Sequence, residues 1–148
     1  MPTIYMKIFY ISSASKCFPH PVRFLSDKAR MSKERILVVD DSAASRKLFS
    51  VLLKEEGYSV KSAVDSDQAL PILNSFKPDL VLMDVLQPGA HGWELHAVMR
   101  RTTVVALTSC ITPSDVESVL ASGCEALIMK PINPRTFVAL VRMNLSKA

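Results

Sequence analysis

Five short apolar runs recur along the chain from residue 35 onward, and segments with helical spacing separate them. The runs are rich in Val, Ile and Leu, and each has the length of a single strand. They are RILVVD at 35–40, YSVKSA at 58–63, DLVLMD at 79–84, TVVALT at 103–108 and EALIMK at 125–130. Strands that alternate with helices predict right-handed crossovers and a parallel sheet with helices on both faces.

The segments between the runs predict five helices, at residues 42–56, 66–76, 92–100, 113–122 and 134–146. Gly57 and Gly123 stand at two of the helix ends, and Asn133 followed by Pro134 is a typical helix start. The third helix is short, because few residues separate Gly92 from the next strand. We therefore expect an α/β fold with a doubly wound five-stranded parallel sheet in the order 2-1-3-4-5.

Length and composition indicate one globular domain, since the 148 residues are 49% hydrophobic and 22% charged. No apolar run approaches the roughly 18 residues of a membrane span, so no membrane association is expected. The three cysteines lack metal-type spacing, and their odd number suits a reducing compartment. We expect a soluble, cytoplasmic protein.

The net charge of +4 belongs to the first part of the chain. Residues 1–34 hold six of the 18 basic residues and two of the 14 acidic ones, so the remainder is neutral. This balance does not indicate a nucleic-acid face on the domain. The leader fits a flexible tail or a start placed upstream of Met31, with an organelle transit peptide as the alternative. We divide the chain into an extension at 1–32 and a domain at 33–148.

Polar side chains stand at the ends of four of the five apolar runs. The first run ends in Asp40, followed by Asp41, and the others end in Asp84, Thr108 and Lys130. Because the carboxyl ends of parallel strands lie on one edge of the sheet, these groups are expected to converge in one crevice. The sequence thus places three carboxylates, a hydroxyl and an ammonium group together.

Three neighbouring carboxylates repel one another unless a positive group lies among them. Carboxylate oxygens with open positions suit Mg²⁺, and a carboxylate can act as a nucleophile that becomes an acyl phosphate. Each feature has an ordinary alternative, since Asp-Asp often caps a helix and Lys-Pro often forms a turn. Their coincidence on one edge favours phosphoryl transfer, with Mg²⁺ and the lysine neutralising the phosphoryl oxygens.

The chain from about Lys33 to Leu145 resembles the receiver domain of bacterial two-component response regulators, the CheY-like family. The resemblance lies in ILVVDDS (36–42), PDLVLMDVLQPGAHGWEL (78–95), VVALTS (104–109) and GCEALIMKPI (123–132). It implies the flavodoxin-like receiver fold, and it implies specific roles for residues of the crevice. Those roles are the phosphoacceptor (Asp84), the Mg²⁺ ligands (Asp40, Asp41, Asp84 and the Leu86 backbone carbonyl), the switch hydroxyl (Thr108), and the site lysine with a cis peptide bond after it (Lys130–Pro131).

The chain departs from the family pattern at three positions. Leu127 stands where the family usually has a Tyr or Phe that moves inward with the switch hydroxyl; the plainer interpretation is one more apolar core residue. Leu86 and Cys110 stand where side chains govern the access of water to the acyl phosphate, and neither orients water well. We therefore predict slow autodephosphorylation, which decay of a radiolabelled Asp84 phosphate within seconds at neutral pH would contradict. Cys110 also admits a redox role, against the commoner one of an apolar filler.

The resemblance implies a phosphorylation switch that takes its phosphoryl group from a sensor histidine kinase or a histidine phosphotransfer protein. Because the chain ends at Ala148, soon after the last predicted helix, we expect a single-domain regulator that binds a partner protein without direct DNA binding. We expect a monomer or a phosphorylation-linked dimer, which catalyses only its own aspartyl phosphorylation and dephosphorylation. The alternatives are a docking module that works without phosphate, and a Mg²⁺-dependent aspartyl phosphohydrolase.

Overall fold

The structure is a computed structural model that describes residues 34–84, 102–108, 112–114, 117, 121 and 123–146. The strands are β1 (Arg35–Val39), β2 (Ser59–Ala63), β3 (Leu80–Asp84), β4 (Thr103–Thr108) and β5 (Ala126–Met129). The helices with full bounds are α1 (Ala43–Glu55), α2 (Ser66–Phe76) and α3 (Pro134–Ser146). Each bound lies within one residue of its predicted position, because glycines, prolines and capping residues mark the ends.

The five strands form one parallel sheet in the order β2-β1-β3-β4-β5, which confirms the predicted fold class and strand order. Val39, at the end of β1, pairs with Ala63 on one side and Met83 on the other. At the far edge, Thr108 pairs with Met129. The strands therefore end at nearly the same level, and the residues that follow them lie along one edge.

Both faces of the sheet are covered over β1, β3, β4 and β5, which explains why these strands are almost continuously apolar, whereas the edge strand β2 is polar and mostly exposed. In β1, Ile36 and Val38 point to one side and Leu37 and Val39 to the other. The first core cluster packs against α1 and α3, where the Phe49 and Phe137 rings stack with centroids 4.9 Å apart. The second core cluster packs against α2, chiefly through Ala69 and Leu73. A strand buried on both sides has little freedom to move, so a polar residue at its end is held in a fixed position.

The helices begin where the sequence supplies capping groups. Ser42 caps α1 by accepting a hydrogen bond from the Ser45 backbone N–H, and Asp65 caps α2 by accepting from Gln68. Asn133 does the same for α3, since its Oδ1 accepts from the backbone N–H of Arg135 at 3.0 Å. Helix α1 consequently starts directly after the Asp40–Asp41 pair, and its first turn faces the carboxyl edge of the sheet.

Several predicted elements fall wholly or partly outside the described residues. The third predicted helix, at 92–100, and the extension at 1–32 lie outside them, so the division of the chain into extension and domain stays a prediction. Of the fourth predicted helix, Pro113, Ser114, Glu117 and Ala121 are described and helical. Across the described part of the chain, no helix has the length and apolar character needed to span a membrane.

Candidate functional site

Asp40 follows β1 directly and is the most buried carboxylate of the site, with only 1% of the residue exposed. Its backbone N–H donates to the Ala63 carbonyl at 3.1 Å, which extends the pairing with β2 by one residue. Its Oδ1 accepts from the Ser42 backbone N–H at 2.8 Å, and its Oδ2 accepts from the Lys130 ammonium at 3.1 Å. Both carboxylate oxygens are therefore hydrogen-bonded, so a charge at this depth is well compensated.

Asp84 ends β3, and its side chain is 4% exposed. Its Oδ2 lies 3.3 Å from the Lys130 ammonium, so Lys130 joins two carboxylates from neighbouring strands. The other oxygen, Oδ1, is buried and has no hydrogen-bond partner among the described residues. A buried carboxylate oxygen without a partner is costly, which is why such groups mark functional sites.

The pKa values of Asp84 and Lys130 are both raised, but for different reasons. Burial raises the pKa of Asp84 above the usual 3.8, and the charge of Asp40 raises it further, while the charge and hydrogen bond of Lys130 oppose this. Burial would lower the pKa of Lys130, but its hydrogen bond to Asp40 and the charge of Asp84 outweigh that effect and raise the pKa above 10.5. Lys130 therefore stays charged at neutral pH, and one ammonium group is shared between two carboxylates.

Asp40, Asp41 and Asp84 form an acidic cluster, in which one carboxylate oxygen from each residue lies within 4.8 Å of the others. Asp41 is exposed, so the cluster opens to solvent on its side. The donors are oxygens only, and Asp84 Oδ1 is a buried acceptor without a hydrogen-bond partner in the described part of the chain. Hard divalent cations prefer such donors, and the cluster could hold one.

Thr108 ends β4 and is 3% exposed. Its carbonyl accepts a 2.7 Å hydrogen bond from the Lys130 backbone N–H, so the two residues are joined through the main chain. The Lys130–Pro131 peptide bond is cis. Leu127 is 2% exposed and belongs to the second core cluster, as an ordinary apolar core residue would. The roles predicted for Leu86 and Cys110 concern residues outside the described ranges.

Sequence reasoning missed Arg46, which lies one turn into α1. Its Nη1 donates to the carbonyl oxygens of Asp40 at 2.7 Å and Asp41 at 3.0 Å. The only signal for this contact is a basic residue five positions after Asp41, where an α-helical turn can bring its side chain back over the helix start. Such spacing occurs in many helices and does not by itself indicate a contact.

Fold and site together define a doubly wound α/β domain that carries an acidic, lysine-containing site at the carboxyl edge of its sheet. The response regulator receiver domain family matches residues 36–142, and the chain belongs to this family. It is thus a receiver domain of the kind found in two-component response regulators, as the sequence motifs predicted.

Curated relatives agree with this family. The DNA-binding response regulator MtrA of Mycobacterium tuberculosis is 37% identical over 118 residues, which are 78% of this chain and 52% of that protein. The probable transcriptional regulator ycf27 of Porphyridium aerugineum is 33% identical over 120 residues, which are 79% of this chain and 50% of that protein. The chain therefore spans about half the length of the curated relatives that it matches.

Solved structures agree with the fold. A CheY-like response regulator receiver domain protein from Methanospirillum hungatei matches with a TM-score of 0.70 and 29% identity, over 78% of this chain and 96% of that one. The chemotaxis response regulator CheY4 of Vibrio cholerae matches with a TM-score of 0.68 and 28% identity, over 76% of this chain and 99% of that one.

The relatives overturn the expectation of no direct DNA binding. That expectation rested on the end of the chain at Ala148, whereas the MtrA proteins that share 37% identity with this chain are DNA-binding response regulators. A receiver fold has the same sheet and the same acidic edge whatever the signal acts upon, so nothing in the described site argues against a DNA-directed output. The expectation was wrong, since where a sequence ends does not define its output.

Proposed function

We propose that this receiver domain is a phosphorylation switch in which Asp84 accepts a phosphoryl group from a phosphohistidine of a sensor kinase or phosphotransfer protein. The observation that carries the proposal is the state of Asp84, whose Oδ2 contacts Lys130 while its buried Oδ1 has no hydrogen-bond partner among the residues that the structure describes. One oxygen is thereby held in place and the other keeps its lone pairs for attack on phosphorus. The result is an acyl phosphate at the end of β3.

In the proposed transfer, a new bond forms from Asp84 Oδ1 to phosphorus as the bond from phosphorus to the histidine nitrogen breaks. Lys130 lies 3.3 Å from Asp84 and remains charged, so it can neutralise part of the charge on the transferred group. Thr108 ends the neighbouring strand β4, where its hydroxyl can bond a phosphoryl oxygen. Burial of the strands keeps these groups in register, so little reorganisation accompanies the transfer.

We further propose that Mg²⁺ is the cofactor, held by Asp40, Asp41 and Asp84 together with the backbone carbonyl of Leu86. The support is the oxygen-only acidic cluster, which Lys130 alone does not neutralise. When bound, Mg²⁺ supplies positive charge for the oxygens of the phosphoryl group. The domain would catalyse only its own aspartyl phosphorylation and dephosphorylation, and the latter is predicted to be slow.

Acetyl phosphate and Mg²⁺ are expected to add one phosphoryl group to the protein, as intact mass spectrometry would show. The Asp84→Ala variant is expected to take up none, because the acceptor oxygen is gone. Asp67→Ala is the matched control, since Asp67 is an exposed acid in the first turn of α2, and it should be phosphorylated like the parent. Phosphorylation of Asp84→Ala to the parent level would refute the proposal, and repeated turnover of a small phosphate ester would favour a phosphohydrolase.

We propose a DNA-directed output for the phosphoryl signal. The support is the 37% identity to DNA-binding response regulators over 78% of the chain. Chromatin immunoprecipitation of the native protein checks this proposal, and enrichment at chromosomal sites should fall in the Asp84→Ala variant. Equal enrichment in the parent and the variant would favour an output that is independent of phosphate.

A further inference from the structure

The side chain of Arg46 folds back over the start of α1 and contacts the main chain of both neighbouring acids. The two N–H groups of a single nitrogen, Nη1, donate to the carbonyls of Asp40 and Asp41, at 2.7 and 3.0 Å. Two consecutive peptide planes are therefore fixed by one side chain. Charge-assisted hydrogen bonds of this length are among the stronger ones in proteins.

Asp40 and Asp41 differ in how their carboxylates are held. The Asp40 carboxylate is fixed by Ser42 and Lys130 and is fully buried. Asp41 is exposed, and within the described ranges its carboxylate accepts no hydrogen bond. The hydrogen bond from Arg46 to the Asp41 carbonyl therefore holds the main chain from which this carboxylate extends.

Helix stability does not account for an arginine at this position. The amino end of a helix carries partial positive charge, so a cation in the first turn is unfavourable. The first turn of α1 contains no acidic residue that would offset this charge. Local helix energetics therefore disfavour Arg46, and its contacts with the acid pair are the feature that sets it apart.

We propose that Arg46 is a positioning residue for divalent-cation binding, which aims the Asp41 carboxylate at Asp40 and Asp84 by clamping both carbonyls of the acid pair. The proposal rests on the proposed function, because it concerns the same metal site. Groups that orient metal ligands without touching the metal commonly change affinity by about 10- to 100-fold when they are removed.

The charge of Arg46 and its contacts with the two carbonyls have opposite expected effects on Mg²⁺ binding. Arg46 is a cation close to a cation site, so removing its charge alone would strengthen Mg²⁺ binding. Removing the clamp would instead free the Asp41 main chain and weaken Mg²⁺ binding. Arg46→Met retains an apolar stem and loses both the charge and the donors. Lys47→Met removes the same charge from the next, exposed residue of α1 and is the matched control.

The test is an NMR titration of backbone amides with Mg²⁺ in the unphosphorylated full chain. Arg46→Met is expected to raise the dissociation constant by about tenfold, while Lys47→Met leaves it unchanged or lowers it. Phosphorylation by acetyl phosphate at increasing Mg²⁺ should show a matching rise in the half-saturating concentration, with the rate at saturation retained. A purely structural role for Arg46 would not raise the half-saturating Mg²⁺ concentration while leaving the rate at saturation unchanged.

Urea unfolding identifies the variants that are folded. If Arg46→Met does not fold, Arg46→Lys serves in its place and meets the same expectation, because its ammonium is one bond closer to Cα and does not reach the position of Nη1 between the two carbonyls. Mg²⁺ affinity in the folded Arg46 variant equal to or above that of Lys47→Met overturns the positioning role alone. A parent protein that does not bind Mg²⁺ overturns both this inference and the proposed metal site.

Discussion

Asp84→Asn is expected to stabilise the metal-free domain by about 1–3 kcal/mol at neutral pH, as measured by urea unfolding. The parent carboxylate is 4% exposed, leaves Oδ1 without a hydrogen bond among the described residues and shares one ammonium group with Asp40. Asparagine has nearly the same shape and removes the charge. The melting temperature should rise by roughly 4–8 °C for each kcal/mol in a domain of about 100 residues.

The gain from Asp84→Asn should depend on pH in a defined direction. The folded-state pKa of Asp84 is raised above 3.8 by burial and by Asp40, so the protonated carboxyl group is the form that favours folding. This favourable contribution is complete below the unfolded pKa of 3.8 and is lost as pH rises through the folded pKa. The parent and the variant should therefore be similar below pH 3.8, and their difference should grow above it.

Asp67→Asn is the control for Asp84→Asn, because Asp67 is an exposed acid at the start of α2. It removes the same charge and should cost up to about 1 kcal/mol of folding stability through the helix dipole, so its effect has the opposite sign.

Mg²⁺ should stabilise the parent more than Asp84→Asn, since the variant lacks one ligand oxygen. Equal stability of the parent and Asp84→Asn at neutral pH would mean that Asp84 Oδ1 is compensated in solution.

Lys130→Met is expected to destabilise the metal-free domain by about 3–5 kcal/mol, because it leaves a buried carboxylate without its partner. Asp40 is 1% exposed and receives a 3.1 Å hydrogen bond from Lys130. Lys47→Met removes an exposed lysine and should be nearly neutral. Lys130→Met with the stability of the parent would show that the carboxylates are neutralised by other means.

A double-mutant cycle of Lys130→Met and Asp84→Asn measures how strongly Lys130 and Asp84 are coupled. Asp84→Asn should stabilise the Lys130→Met protein more than it stabilises the parent, because Asp40 and Asp84 then repel each other without an intervening cation. Urea unfolding of the four proteins gives the coupling directly. Additive effects would mean that neither Lys130 nor Asp40 interacts appreciably with Asp84 in solution.

The sequence predicts the fold closely because burial of β1, β3, β4 and β5 on both faces leaves a clear pattern of apolar runs. It also predicts which groups meet, since Asp84, Thr108 and Lys130 end strands whose ends are aligned by parallel pairing. These inferences need only the period of the pattern and the topology of the sheet. The same reasoning placed Asp40 and Asp41 at this edge, between β1 and the Ser42 cap of α1.

Contacts that depend on side-chain conformation could not be predicted. The two hydrogen bonds of Arg46 require a particular rotamer, and the contact of Arg142 with Glu56 at 2.9 Å joins residues 86 positions apart. The unequal environment of the two Asp84 oxygens is equally invisible in sequence, because it depends on where Lys130 comes to rest between two acids. The expectation of no direct DNA binding was wrong because the output of a receiver domain is not encoded in the sheet or its edge.

Thr108 and Lys130 end neighbouring strands and share a 2.7 Å main-chain hydrogen bond. Both strands are packed on two faces, so neither strand end can slide without disturbing the core on both sides of the sheet. A rotation of the Thr108 hydroxyl breaks none of these contacts. In the proposed switch, the signal would therefore leave this edge as a change of the Thr108 rotamer that alters the neighbouring surface, while the sheet itself stays fixed.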